Sequence, residues 1–114
     1  MISTVAEVRE QHRFDVGALE RYMREYVEGF VGPLTVQQFR GGQSNPTYYL
    51  TAGGKEYVLR RKPPGKLLPS AHAVDREYRV ITALGTTGYP VPKTYALCED
   101  PAVIGTAFYV MDCV

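Results

Sequence analysis

The chain has 114 residues, 45% hydrophobic and 22% charged, with a formal net charge of +1. This describes one soluble globular domain with a modest core, too near neutral for a nucleic-acid binder driven by charge and without a run apolar for long enough to span a bilayer. Residues 1–10 lack the apolar core of a signal peptide, and Cys98 and Cys113 make no metal motif with His12 and His72, so the expectation is a reduced, cytoplasmic protein.

Residues 1–14 read as an N-terminal arm. Asp15 is a credible N-cap, after which Leu19, Tyr22, Met23, Tyr26, Val27 and Phe30 recur at helical spacing until Gly29 and the Gly32-Pro33 pair end the helix. A strand is expected over 35–40, a glycine-rich turn over 41–46 and a second strand over 47–52. Gly53-Gly54 signals a tight hairpin into a third strand over 55–61. Two consecutive hairpins make this part of the sheet antiparallel. The prolines at 63 and 64 break the ladder. Ser70 can cap a helix that runs to about Leu84, where Gly85 and Gly88 stop it; Pro90 and Pro92 force an extended crossing, and two more strands follow at 93–98 and 107–112. The order predicts an α+β domain: a five-stranded antiparallel sheet with one packed helix plus an N-terminal helix.

Three places carry chemistry. In the loop Gly41, Gly42, Gln43, Ser44 and Asn45, two glycines allow close backbone approach to a ligand and free N–H groups can point at phosphate oxygens. Taken alone, the loop is better explained as a plain hairpin turn, and it is not a Walker loop. In the third strand, alternation puts Val58 and Arg60 on one face and Tyr57, Leu59 and Arg61 on the other. An apolar residue two before a cation on one face suits a purine ring followed by its phosphates. The basic cluster Arg60, Arg61 and Lys62, with Lys66 nearby, is either a solvated edge or an anion site.

The third place is the following helix. Its stripe of Ala73, Val74, Tyr78, Ile81 and Leu84 includes Glu77. A carboxylate on a core face needs a partner, and Arg60 offers a guanidinium able to bind it bidentately. In the rival reading Glu77 reaches solvent and pairs with Arg76 or Arg79. Both readings stand on spacing alone. The chain stops directly after a core-like strand, which reads as a cut between domains.

The segments 39–48, 57–65, 75–78, 91–92 and 108–112, in this order, resemble the N-terminal lobe of the aminoglycoside phosphotransferase family, a branch of the protein-kinase-like fold, and most closely the phosphotransferase domain associated with acyl-CoA dehydrogenases. The resemblance implies residues 15–114 as a kinase-like N-terminal lobe ending at the hinge, with the second lobe absent. It implies an ATP-dependent phosphotransferase acting on a small-molecule hydroxyl acceptor, with Mg2+ accompanying ATP. Gly41 to Asn45 would position the nucleotide, departing from the glycine pattern of protein kinases. Arg60 would stand where kinases carry a phosphate-binding lysine, with Glu77 as its helix carboxylate. Val58 would pack on the adenine ring, Met111 would line the back of its pocket, and the Asp112 C=O and Val114 N–H would read its edge. The catalytic and metal-binding residues of the family belong to the missing lobe, so the chain alone is expected to be inactive. An apolar face around Met111 and Val114 would favour self-association. Two rival functions are a non-catalytic pseudokinase and a stand-alone binding module, in which Tyr48, Tyr49 and Tyr57 stack on nucleic acid or a protein.

Overall fold

In the computed structural model, which describes residues 5–6, 8, 13–39, 47–61, 74–100 and 102–113, the first helix starts at the expected cap. Asp15 Oδ1 accepts the Ala18 N–H at 3.1 Å, satisfying one of the donors a helix start leaves open. Helix α1 spans Val16–Tyr26. Leu19 and Met23, one turn apart, are fully buried, and Val27 continues the stripe. The Val27 N–H donates to the Met23 carbonyl at 2.9 Å and closes the helix.

The remaining elements are β1 (Val5–Ala6), β2 (Leu34–Phe39), β3 (Thr47–Ala52), β4 (Lys55–Arg61), α2 (Val74–Gly85), β5 (Thr94–Cys98) and β6 (Phe108–Asp112). They form one antiparallel sheet in the order β1-β2-β3-β4-β6-β5. The β3–β4 hairpin pairs Ala52 with Lys55. Its two central residues, Gly53 and Gly54, sit at φ 57 and 80, the left-handed conformation that a two-residue turn matched to sheet twist demands. The five expected strands and two expected helices are present. Strand β1 is an addition: residues read as a free arm pair with Phe39 and Gln38, covering part of an otherwise open edge of β2. The expected cap of α2, Ser70, lies outside the described residues.

Alternation divides the sheet into two unlike faces. One carries Tyr48, Leu50, Ala52, Tyr57, Leu59, Phe108, Val110, Ala96 and Cys98, which with Leu19, Met23 and Val27 form the core under α1. Full burial of a side chain such as Leu50, Leu59, Phe108 or Val110 contributes about 1.5–3 kcal/mol. The other face is covered in part by α2. Val74 is fully buried, the Tyr78 and Tyr109 rings lie 6.0 Å apart, and the Thr82 and Thr94 hydroxyls share a hydrogen bond of 2.7 Å. This packing holds α2 over β5 and β6 and turns one of its carboxylates toward β4.

Candidate functional site

The strand alternation read from the sequence is the one observed. Tyr57, Leu59 and Arg61 point into the core and are at most 3% exposed, which leaves Val58 and Arg60 on the α2 side. Val58 is flanked by Tyr49 on β3 and Met111 on β6, and Arg60 by Thr47 and Tyr109. Facing partners share a face in an antiparallel sheet. The register therefore sets Val58, Met111, Arg60 and Tyr109 side by side.

Glu77 reaches this group from α2. Its Oε1 lies 3.6 Å from Arg60 Nη1, with the two side chains 35% and 30% exposed respectively. The contact is a single loose one, unlike the expected bidentate fork. The same oxygen accepts the Tyr109 hydroxyl at 3.0 Å, so a neutral donor occupies part of the acceptor that a fork would need. Of the two rival partners of Glu77, Arg79 is engaged elsewhere, its Nη1 lying 3.1 Å from Asp75 Oδ2, and Arg76 is exposed. Arg60 Nε is buried and has no hydrogen-bond partner. An orphaned buried donor on a cation is costly, while the side chain as a whole keeps 30% of its surface exposed for an anion to meet.

Tyr109 is the member of the site that sequence reasoning missed. It is 1% exposed. Burial, reinforced by the neighbouring Glu77 carboxylate, pushes its phenol well above the ordinary range, so it remains a donor through neutral pH. Its one sequence signal is a position two before Met111 on the same strand face.

The other expected site residues are partly assembled. Val58 is buried and Met111 half-buried. The Asp112 side chain lies on the opposite face, where it accepts the Tyr95 hydroxyl at 2.5 Å, while its main-chain N–H donates to the Lys93 carbonyl at 2.8 Å. Gly41, Gly42, Gln43, Ser44, Asn45 and Val114 lie outside the described residues. A cavity of about 500 Å³ opens beside the β3–β4 hairpin and the end of β6, lined by residues that include Tyr49, Lys55, Glu56 and Asp112. A larger one of about 730 Å³ lies between α1 and β5, lined by Arg21, Tyr22, Glu25 and Cys98 among others. It is remote from the Arg60 group, so we place the site by its charges instead of by cavity size.

Three expectations change. The basic cluster is not one patch: Arg61 turns into the core, donating from Nε to Thr106 Oγ1 at 2.9 Å and from Nη1 to the Tyr48 hydroxyl at 3.4 Å, while Lys62 and Lys66 lie outside the described residues. The tyrosine platform does not exist, because Tyr48 and Tyr57 are fully buried in the core and only Tyr49 lies on the other face. The large apolar side chains most exposed among the described residues are Val16, Tyr26, Val31, Val80, Leu84 and Tyr89, and Met111 is not one of them. Also among the described residues, no three His, Cys, Asp or Glu side chains converge as metal ligands, and no helix is long and apolar enough to cross a membrane.

Comparison with known proteins places this geometry. The model of the phosphotransferase enzyme family matches residues 35–114. The chain is 57% identical over 110 residues to acyl-CoA dehydrogenase family member 11 of Gallus gallus, a match covering 93% of this chain and 14% of that protein. It is 52% identical over 114 residues to the Homo sapiens protein of the same name, covering 96% of this chain and 15% of the other. A crystal structure described as a "putative aminoglycoside phosphotransferase" from Ralstonia eutropha JMP134 superposes with a TM-score of 0.78 at 56% identity, covering 90% of this chain and 28% of that one. The chain thus spans about 14–15% of the length of these curated relatives.

Proposed function

Because this chain belongs to the phosphotransferase enzyme family and has its kinase-like fold, we propose that it is the nucleotide-binding lobe of an ATP-dependent small-molecule phosphotransferase. The observation that carries the reading is the Arg60–Glu77 contact on the sheet face that also presents Val58 and Met111. A guanidinium beside a helix carboxylate, with an apolar surface one pleat away, can take phosphates at one end and a purine at the other.

The roles divide as follows. Arg60 meets the phosphates through the exposed part of its side chain. Glu77 aims the guanidinium. Val58 packs on the adenine ring, Met111 lines the back of its pocket, and the Asp112 carbonyl with the Val114 N–H reads the adenine edge. Gly41, Gly42, Gln43, Ser44 and Asn45, which lie outside the described residues, would help position the nucleotide, as the resemblance implies. ATP brings Mg2+, which neutralises phosphate charge during transfer; its ligands, the catalytic aspartate and the hydroxyl acceptor site would belong to a second lobe. Phosphoryl transfer is mainly positioning and charge stabilisation shared between two lobes. This chain by itself is therefore expected to bind nucleotide weakly and to turn over none.

The test is calorimetric titration of the chain with ATP and ADP, for the native sequence and for Arg60→Ala. A charge-assisted hydrogen bond contributes about 1.5–3 kcal/mol, so the substitution is expected to weaken binding by about tenfold or more. Equal affinity for the two proteins would overturn the assignment.

A further inference from the structure

We propose that Tyr109 is the positioning residue that fixes Glu77, so that the carboxylate keeps its place when Arg60 turns toward an anion. The inference rests on the nucleotide-lobe reading above and adds a part to that site. Glu77 Oε1 receives the Tyr109 hydroxyl at 3.0 Å and Arg60 Nη1 at 3.6 Å. The first is an ordinary hydrogen bond, while the second lies beyond hydrogen-bond range and acts through charge alone.

The two partners also differ in freedom. Both charged side chains are about one-third exposed. Water screens their attraction there, and a long arginine can exchange partners. Tyr109 is 1% exposed. Its strand pairs with Arg60 on one side and Leu97 on the other, and its ring meets that of Tyr78 at 6.0 Å. A phenol so enclosed has one place for its oxygen. It stays protonated beyond neutral pH because burial first, and then the carboxylate, outweigh the opposing pull of the Arg60 charge.

A chain of orientation follows. The buried phenol sets the carboxylate, the carboxylate aims the guanidinium, and the guanidinium meets the phosphates. Arg60 need not hold Glu77 in place by itself, which is compatible with its orphaned Nε. Tyr109 touches no nucleotide in this arrangement.

Tyr109→Phe removes one oxygen and keeps the ring. It is compared with Glu77→Gln and the double variant by titrating each chain with ADP. Tyr109→Phe is expected to weaken ADP by about tenfold, and the double variant to bind no worse than Glu77→Gln, because both changes break one chain of contacts. A second readout needs no nucleotide: nitrogen relaxation at Arg60 Nε is expected to show a more mobile guanidinium in Tyr109→Phe. Native ADP affinity in Tyr109→Phe, with binding lost in Arg60→Ala, would overturn the proposal and leave the lobe reading standing. If Arg60→Ala also binds ADP normally, the lobe reading fails. The relaxation measurement then decides the role of Tyr109, and unchanged Arg60 mobility overturns it.

Discussion

Arg60 and Arg61 are neighbours in the chain and lie on opposite faces of the sheet. The first has a 30% exposed side chain 3.6 Å from Glu77. The second is 3% exposed and donates to Thr106 and Tyr48 within the core. One strand step separates a partly exposed charge from a charge spent on structure. Under the proposed function the pair therefore separates nucleotide binding from stability. Arg60→Ala breaks a screened, partly exposed contact and is expected to cost about 1 kcal/mol or less in stability. Arg61→Ala removes a donor to Thr106 Oγ1 and to the Tyr48 hydroxyl together with core packing, a loss on the order of 3 kcal/mol. Chemical denaturation of both variants beside nucleotide titration checks this; a larger stability loss for Arg60→Ala than for Arg61→Ala would contradict it.

The β3–β4 hairpin gives a second contrast. A Cβ at Gly53 would stand 2.8 Å from both the Val31 Cβ and the Val31 carbonyl oxygen, at φ 57. Gly53→Ala combines a steric clash with left-handed strain and is expected to destabilise by about 1–3 kcal/mol. Gly54, at φ 80, has nothing within 4 Å of such a Cβ. Asparagine tolerates that conformation, so Gly54→Asn is expected to cost about 1 kcal/mol or less. Thermal melts of the two variants give the comparison, and equal losses would mean that contact with Val31 does not decide the cost.

Acid stability depends on the link between α1 and β2. Glu20 accepts from Arg24 Nη2 at 2.6 Å and from the Leu34 N–H at 3.2 Å. These two bonds, the arginine first, lower its carboxyl below its ordinary value of 4.5. A depressed carboxyl contributes stability that is present above the unfolded value and is lost as pH falls through the folded one. Below about pH 4.5 the native chain is expected to lose more stability than Glu20→Gln, whose amide does not titrate. Urea midpoints across that range measure it, and parallel curves would exclude Glu20 from the acid response.

What the sequence disclosed followed local rules. Asp15, the Gly53-Gly54 turn and the alternation of β4 each depend on residues a few positions apart, and each was legible. The partner of Glu77 was left open, although helix geometry favours the answer. Asp75 and Arg79 stand four apart and pair, whereas Arg76 and Arg79 lie one and two positions from Glu77, where side chains do not face each other. Tyr109 was hidden because its role requires β6 to lie beside β4, an adjacency that comes from long-range sheet order. Burial of Arg61 was hidden likewise, since its acceptor Thr106 is 45 positions away. Strand β1 has two residues, too few for any period to register.

The most direct measurement is a nitrogen–proton NMR titration of the chain with ATP, because it detects weak binding and locates it residue by residue. The account predicts saturable shifts concentrated at Val58, Arg60, Glu77 and Met111, with little change at Leu50, Leu59 and Met23 beneath α1, and at Val58, Glu77 and Met111 of Arg60→Ala the same shifts only at about tenfold higher ATP or more. No shift up to the solubility limit of the nucleotide, or shifts centred on the cavity between α1 and β5, would contradict it.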